Sequence, residues 1–170
     1  MSTVYVFGHQ NPDNDAIMSA VVLSQLLNQV NYDGNEYKAC ALGALPAESA
    51  KLLAEVGIAE PERVKGVEAG QPVVLTDHNE SSQSVEGLKD ATVLGVVDHH
   101  RIGDFETTAP LHYIALPWGS SCTIVAKLFE VLGQELTDVQ AKLLLSAMMT
   151  DTLMLKSPTT TDVDRAVAAK

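Results

Sequence analysis

Short apolar runs rich in β-branched residues alternate with longer stretches of helical periodicity, and this alternation restricts the fold more than any other feature of the sequence. The runs predict five strands, at residues 4–7, 37–42, 72–76, 92–97 and 113–116. Several are almost continuously apolar, which is typical of strands covered on both faces of a parallel sheet. The pattern predicts an α/β fold with a mostly parallel five-stranded sheet and helices on both faces.

Helices are predicted between and after these strands, at residues 16–30, 46–56, 121–132 and 138–149. The first has an apolar face that repeats at spacings of three and four residues, as in an amphipathic helix. Its candidate N-caps are Asn14 and Asp15, and Thr137 is a candidate N-cap for the fourth helix. Residues 161–170 carry a further helical pattern that stops without a capping glycine, so we expect a fragment of a longer protein.

Composition and charge narrow the range of functions. Eleven Lys and Arg residues against 22 Asp and Glu give the 170-residue chain a formal net charge of −11, which disfavours nucleic acid and anionic membranes as partners. Cys40 and Cys122 have no metal-binding spacing. No apolar run approaches the roughly 18 residues of a membrane span, and the N-terminus lacks the basic region of a signal peptide. We therefore expect a soluble, cytoplasmic, single-domain chain.

Histidine and aspartate residues follow three of the predicted strands. His9 comes after residues 4–7, His78 after residues 72–76, and His99 with His100 after residues 92–97. The carboxyl ends of parallel strands line the ligand crevice of an open α/β sheet. We therefore expect these side chains to lie along one rim of the sheet.

The loop at residues 8–15 carries His9, Asp13 and Asp15 at relative positions i, i+4 and i+6. Its Asn-Pro-Asp sequence is also ordinary turn and helix-capping chemistry, and the loop taken alone leaves both interpretations open. The Asp98-His99-His100 sequence is less ordinary. Adjacent side chains on an extended backbone point to opposite sides, so one histidine can bind a metal while the other faces a substrate.

Two aspartates could have structural roles when each is considered alone. Asp77 could cap the turn after its strand, and Asp151 could be an exposed turn residue. However, Asp151 lies at the C-terminus of a predicted helix, where a carboxylate opposes the helix dipole and a cation would compensate it. Imidazole and carboxylate ligands without thiolates suit Mn, Co, Zn or Mg. Because the set is larger than one tetrahedral site, it predicts two ions bridged by a carboxylate, as in phosphoesterases and phosphoanhydride hydrolases.

Four motifs in this order resemble those of the family II inorganic pyrophosphatases, which belong to the DHH phosphoesterase superfamily. They are Gly-His-Gln-Asn-Pro-Asp-Asn-Asp at 8–15, Asp-His-Asn at 77–79, Asp-His-His-Arg at 98–101 and Thr-Asp-Thr at 150–152. The resemblance implies that residues 1–170 form the N-terminal DHH domain, and that a C-terminal domain with substrate-clamping basic residues is absent from this chain. It also implies hydrolysis of pyrophosphate, two Mn²⁺ or Co²⁺ ions with Mg²⁺ as a further ion on the substrate, and a homodimer paired through the sheet edge.

The resemblance further implies two ligand sets that share one aspartate: His9, Asp13 and Asp77 for one ion, and Asp15, Asp77, His99 and Asp151 for the other. His100 would contact the substrate and assist proton transfer to the leaving phosphate. Asp98 would orient the histidines, as carboxylates commonly do beside metal ligands. Since the basic clamp is missing, we predict that this chain binds metal but hydrolyses pyrophosphate poorly by itself.

Several alternatives remain open from the sequence. A DHH exopolyphosphatase or an oligonucleotide phosphodiesterase would share the metal chemistry, although the charge of −11 disfavours the latter. A non-catalytic metal-binding or dimerisation module is an alternative of another class. Residues 119–121 open a predicted helix, where Ser120 is an N-cap candidate and free N–H groups could otherwise hold a phosphate.

Overall fold

The structure is a computed structural model that describes residues 2–170. One parallel sheet has six strands in the order β3-β2-β1-β4-β5-β6. The strands are β1 Thr3–Phe7, β2 Glu36–Ala41, β3 Glu62–Arg63, β4 Pro72–Thr76, β5 Thr92–Asp98 and β6 His112–Ala115. The parallel α/β prediction is confirmed, but there is one strand more than the five predicted. The sequence pattern misses β3 because it consists of two exposed, charged residues.

Five α-helices accompany the sheet: α1 Asn14–Gln29, α2 Ala47–Glu55, α3 Ser121–Val131, α4 Asp138–Asp151 and α5 Asp162–Ala168. The N-cap of α1 is Asp13 rather than Asn14 or Asp15, because the Asp13 carboxylate accepts a hydrogen bond from the Ala16 amide at 2.9 Å. The predicted N-cap Thr137 is confirmed, and it forms a capping box with Gln140. No helix among residues 2–170 has both the length and the hydropathy of a membrane-crossing segment.

The two faces of the sheet are covered differently. Val4, Val74 and Val97 point into a core cluster that contains the apolar residues of all five α-helices. The cluster on the other face contains Phe7 and Val96, and within residues 2–170 it includes no α-helical residue. It is covered by connecting segments that include the short 3₁₀ turns Ser81–Gln83 and Leu88–Asp90. The prediction of helices on both faces is therefore wrong, because the connections on this face are rich in Ser, Gly and Asp, which favour turns.

The strand order places a topological switch point between β1 and β4, which are neighbours in the middle of the sheet. The chain leaves β1 toward β2 and leaves β4 toward β5, in opposite directions. Right-handed crossovers then run on opposite faces, and a crevice opens beyond the carboxyl ends of β1 and β4. The segments that begin at Gly8 and Asp77 therefore line the position where α/β sheets bind ligands.

Candidate metal centre

Imidazole and carboxylate groups converge at this switch point from β1, β4 and β5 and from the ends of α1 and α4. In each of three groups, one ligand atom per residue lies within 4.8 Å of the others. The groups are His9, Asp13 and Asp77; Asp15, Asp77, His99 and Asp151; and Asp77, His99 and His100. The structure therefore brings together every residue of the two ligand sets implied by the resemblance.

Asp77 lies at the centre of the cluster and is almost completely buried. Its Oδ2 is 3.3 Å from His9 Nε2, and its Oδ1 is 3.1 Å from His99 Nε2. The backbone at Asp77 has a φ of +61°, in the left-handed region, which turns the chain sharply at the end of β4. Such a conformation in a buried non-glycine residue is typical of functional sites. One carboxylate thus faces both histidines.

Backbone carbonyl groups fix the orientation of both imidazole rings. His9 Nδ1 lies 2.7 Å from the Gln10 carbonyl oxygen, and His99 Nδ1 lies 2.9 Å from the Trp118 carbonyl oxygen. Since a carbonyl only accepts, Nδ1 carries the proton in each ring. Nε2 is then the nitrogen that faces the carboxylates, with a free lone pair when the ring is neutral. This is the usual arrangement of a metal-ligating histidine.

The N-terminus of α3 holds Asp15. The amides of Ser121 and Cys122 donate to the two Asp15 carboxylate oxygens at 2.8 and 2.9 Å. Ser120 is the N-cap of α3, as predicted, and its hydroxyl accepts from the Thr123 amide. The alternative of a phosphate bound at residues 119–121 is therefore wrong, because carboxylates of the same chain already accept from the Gly119 and Ser121 amides.

Asp13 and Asp151 complete the cluster from helix ends. Asp13 Oδ1 lies 3.6 Å from His9 Nε2 while it also caps α1, so this carboxylate both starts the helix and faces the first histidine. Asp151 is the last residue of α4, and its Oδ2 lies 3.4 Å from His99 Nε2. The chain then reverses through three residues with positive φ, Leu153–Leu155. The Asp151 carboxylate therefore lies at the C-terminus of α4, where its negative charge opposes the helix dipole, as the sequence indicated.

His100 and Asp98 form a hydrogen-bonded pair at the edge of the cluster, where the ring centroid of His100 lies 4.1 Å from that of His99. Asp98 is fully buried; its Oδ1 accepts from His100 Nδ1 at 2.8 Å, and its Oδ2 accepts from Asn79 Nδ2 at 2.9 Å. The sequence led us to expect that Asp98 orients both histidines, but of the two rings its carboxylate bonds only that of His100. The ring of His99 is held by a carbonyl instead, and Asp98 binds only the His99 backbone amide. The side chain of His100 is half-exposed, and its Nε2 makes no hydrogen bond within residues 2–170.

His78 lies beside the cluster, with its ring centroid 6.4 Å from that of His9, but neither of its ring nitrogens faces a carboxylate. Its Nδ1 bonds the Thr76 carbonyl oxygen at 2.8 Å and its Nε2 lies 2.9 Å from the Ser84 hydroxyl. Burial lowers the pKa of His78 to about 4, so the ring is neutral near pH 7. His78 is therefore a buried residue beside the site that belongs to none of the three ligand groups.

The carboxylates raise the pKa of both histidines in the metal-free protein. Burial alone would lower the pKa of His9, but Asp13 and Asp77 raise it to about 11. Burial likewise opposes protonation of His99, whereas Asp77 and Asp151 raise its pKa to about 9. Burial raises the pKa of Asp151 to about 7, with a further contribution from Asp77. Without metal, protons on these groups balance the negative charge of the site.

The chemistry of the donor set fits divalent metal ions. Among residues 2–170, the ion pairs of Asp13, Asp15, Asp77 and Asp151 are with histidines and never with Lys or Arg. Buried carboxylates without a permanent cation are costly unless an ion or protons neutralise them. Oxygen and imidazole donors without thiolates suit Mn²⁺, Co²⁺, Zn²⁺ or Mg²⁺.

Metal binding to this cluster should release protons. At pH 7.5, His9 and His99 are protonated without metal, and each must lose its proton to bind an ion. We expect about two protons released when two Mn²⁺ ions bind, and more below pH 7, where Asp151 also holds a proton. The affinity for the ion held by His9 should therefore rise with pH up to about 11, the pKa of His9, and the affinity for the ion held by His99 up to about 9. Calorimetric titrations in buffers of different ionisation enthalpy measure the number directly, and a value of zero would contradict the assignment of these rings.

The fold and the site together define an α/β protein with a candidate two-metal centre at the switch point of its sheet. The model of the DHH family, N-terminal domain, matches residues 3–154. The chain belongs to the DHH family, and the resemblance indicated by its motifs is confirmed.

Relatives share this domain over nearly the whole chain. A Staphylococcus epidermidis protein named "probable manganese-dependent inorganic pyrophosphatase" is 42% identical over 172 residues, covering 100% of this chain and 55% of the relative. A Streptococcus agalactiae protein of the same name is 45% identical over 99% of this chain and 54% of its own length. The crystal structure of a family II inorganic pyrophosphatase candidate from Methanococcus jannaschii superposes with a TM-score of 0.86 at 38% identity, over 99% of this chain and 54% of that one. The chain thus spans about half the length of its relatives.

Proposed function

We propose that this chain is the metal-binding half of a manganese-dependent inorganic pyrophosphatase, which hydrolyses pyrophosphate to two phosphates with a metal-activated water. The observation that carries the proposal is the position of Asp77, which faces both His9 and His99 and so belongs to two adjacent ligand sets. The names of the relatives support the choice of manganese and of pyrophosphate. Co²⁺ would suit the same donors, and Mg²⁺ could accompany the substrate.

His9, Asp13 and Asp77 would hold one ion, and Asp15, Asp77, His99 and Asp151 would hold the other. When bound, two ions of this kind supply a water nucleophile at neutral pH and positive charge for the phosphoryl oxygens. The protein keeps its donors in place before any ion arrives, because Asp15 is fixed by two backbone amides and each histidine by a backbone carbonyl. Fixed ligands reduce the reorganisation that binding requires.

His100 is proposed to bind the substrate and to give a proton to the leaving phosphate. Its Nδ1 is occupied by Asp98 at 2.8 Å, so Nε2 is the atom that can donate. The hydrogen bond to Asp98 raises the pKa of His100, which favours the protonated ring that a general acid needs. Asp98 is proposed to position this ring, with Asn79 holding the second carboxylate oxygen.

A second part of the polypeptide is proposed to complete the enzyme. Residues 1–170 would be the N-terminal DHH domain, and a C-terminal domain outside this sequence would supply the basic residues that clamp the substrate. The coverage of only 55% of the Staphylococcus relative supports this division. We further propose a cytoplasmic location and a homodimer. The dimer is supported by β6, an edge strand whose partner among residues 2–170 is β5 alone.

A calorimetric Mn²⁺ titration of this chain near neutral pH tests the metal centre directly. Two tight sites are the expected result. A chain that binds no Mn²⁺, or binds only one ion, would contradict the proposed two-metal centre. The titration measures metal binding independently of catalytic activity. A chain that binds two ions but shows no turnover in the assay described next would fit the alternative of a non-catalytic metal-binding module.

The His100→Ala variant tests the proposed reaction in a polypeptide that joins this chain to the C-terminal half of the Streptococcus agalactiae relative. We expect turnover of pyrophosphate to fall by roughly 10²–10⁴-fold, as for the loss of a general acid, with both Mn²⁺ sites retained. Phosphate release from pyrophosphate and from tripolyphosphate and mononucleotide release from a dinucleotide are compared in parallel. A preference for tripolyphosphate or the dinucleotide would contradict the proposed substrate, and unchanged turnover in the variant would contradict the role of His100.

A further inference from the structure

The N-terminal turn of α3 contacts three of the proposed metal ligands and is itself anchored by a buried carboxylate. The amides of Ser121 and Cys122 hold Asp15. The Trp118 carbonyl oxygen, just before the turn, fixes the ring of His99 at 2.9 Å. The Ser121 hydroxyl also donates to Asp77 Oδ1 at 3.1 Å. Residues 118–122 therefore position Asp15 and His99 and also contact Asp77, so they contact three of the four ligands proposed for the second ion, which are Asp15, Asp77, His99 and Asp151.

Asp164 is the carboxylate that anchors this turn. It lies on α5, is fully buried, and has no Lys, Arg or His partner among residues 2–170. Its Oδ2 accepts from the Gly119 amide at 2.8 Å, and its Oδ1 accepts from the Thr123 hydroxyl at 2.6 Å. These bonds connect segments more than 40 residues apart along the chain. Asp164 also belongs to the capping box of α5 with Thr161, but that box does not require the bonds to α3.

The fit around Gly119 shows how closely the turn is held. A Cβ at this position would lie 2.6 Å from Thr152 Cγ2 and 2.8 Å from Asp164 Oδ2, closer than real Cβ contacts. The turn is thus enclosed between α5 and the residue that follows Asp151. A shift of the Asp164 carboxylate would change the space on one side of Gly119, and the backbone on either side of Gly119 carries the contacts to His99 and Asp15.

We propose that Asp164 is a positioning residue of the metal centre, which holds the α3 turn so that Asp15 and His99 can bind the second ion. The inference rests on the proposed two-metal function. It extends the centre to α5, which lies beyond residues 3–154 that match the DHH family model. Among the first ion's three ligands, His9 is held by the Gln10 carbonyl oxygen and Asp13 by the Ala16 amide, and only the shared Asp77 contacts the turn, through the Ser121 hydroxyl.

Mn²⁺ titration of the Asp164→Ala chain tests this role. We expect the second ion to bind at least tenfold more weakly and the first to change by less than twofold. Asp13→Asn and Asp15→Asn identify which step belongs to which ion. Electron paramagnetic resonance then follows the spin-coupled signal of two ions sharing a carboxylate, which should give way to the signal of a single ion. Asp162→Asn is the matched control, because it removes one fully exposed carboxylate from the same helix.

Two further variants separate positioning from simple destabilisation. Asp164→Asn keeps oxygen for the Gly119 amide and should restore most of the second affinity. Thr123→Val removes one hydrogen bond to the same carboxylate and should weaken binding of the second ion two- to fivefold. This milder variant tests the positioning role if circular dichroism shows that Asp164→Ala does not fold. If a folded variant binds both ions equally more weakly, or binds the second ion with unchanged affinity, the positioning role of Asp164 is overturned while the proposed function stands. Failure of the unsubstituted chain to bind two ions would overturn the proposed function and this inference with it.

Discussion

Replacing Asp77 with asparagine should remove both manganese sites at once, with each affinity reduced by about 100-fold or more. Loss of an orienting partner alone typically costs 10–100-fold in metal affinity, and Asp77 is proposed as a direct ligand of both ions. Its two oxygens face His9 and His99 at 3.3 and 3.1 Å. Asparagine keeps the shape of the side chain and tolerates the positive φ of this position. The fold should therefore persist while the metal sites are lost.

Calorimetric titration with Mn²⁺ measures this loss, and circular dichroism verifies the fold. Asp90→Asn is the matched control, because Asp90 is exposed and lies in the 3₁₀ turn Leu88–Asp90, on the face of the sheet that the α-helices do not cover. It changes the net charge by the same amount and should leave both sites intact. Retention of one tight site in Asp77→Asn would show that the two ions do not share this carboxylate, and would contradict the arrangement proposed for the centre.

Replacing Gly8 with alanine should lower the free energy of unfolding by about 3 kcal/mol, at the upper end of overpacking costs. A Cβ on Gly8 would lie 2.5 Å from the Cβ of Ala16 and 2.7 Å from its carbonyl oxygen. These atoms belong to the first turn of α1, so the loop would have to move away from the helix. Because His9 is the next residue, the first ion should also bind more weakly. Urea unfolding with a linear extrapolation gives the change in stability.

Gly34→Ala is the comparison for this prediction. Gly34 has a φ of +79°, and a Cβ added there would meet nothing within 4 Å, so only the backbone conformation opposes alanine. That cost is about 1 kcal/mol. Equal losses of stability in the two variants would mean that close packing at Gly8 contributes nothing beyond ordinary glycine backbone freedom.

The features that the sequence predicts are those that depend on local residue patterns and on strand direction. Apolar runs identify five strands, and strand-end aspartates and histidines identify the crevice, since strand direction alone brings such residues together. His78 shows the limit of this reasoning. It occupies the same place in the pattern as His99, yet its side chain is buried, and its Nε2 accepts a hydrogen bond from the Ser84 hydroxyl. Which side of the strand end it faces depends on the turn at Asp77.

Contacts made by the backbone leave no trace in residue identity. The carbonyl oxygen of Trp118, which fixes the ring of His99, could come from any residue. The contacts of Asp164 could not be predicted from the sequence either, because an aspartate in the first turn of a helix ordinarily stabilises the helix N-terminus while exposed to solvent. Only the packing of α5 against α3 buries this carboxylate and directs it to Gly119.

All five α-helices cover one face of the sheet, so the candidate metal centre has packed helices on one side and turns and loops on the other. The proposed ligands Asp13, Asp15 and Asp151 lie at the ends of α1 and α4, two helices whose apolar residues belong to the larger core. His100 follows β5 on the connection that crosses the helix-free face, where turns and loops replace regular packing. His99 begins the same connection, but the other proposed metal ligands lie on other segments of the chain. Changes in the connection beyond His100 would therefore act on the proposed substrate contact more than on the proposed metal ligands.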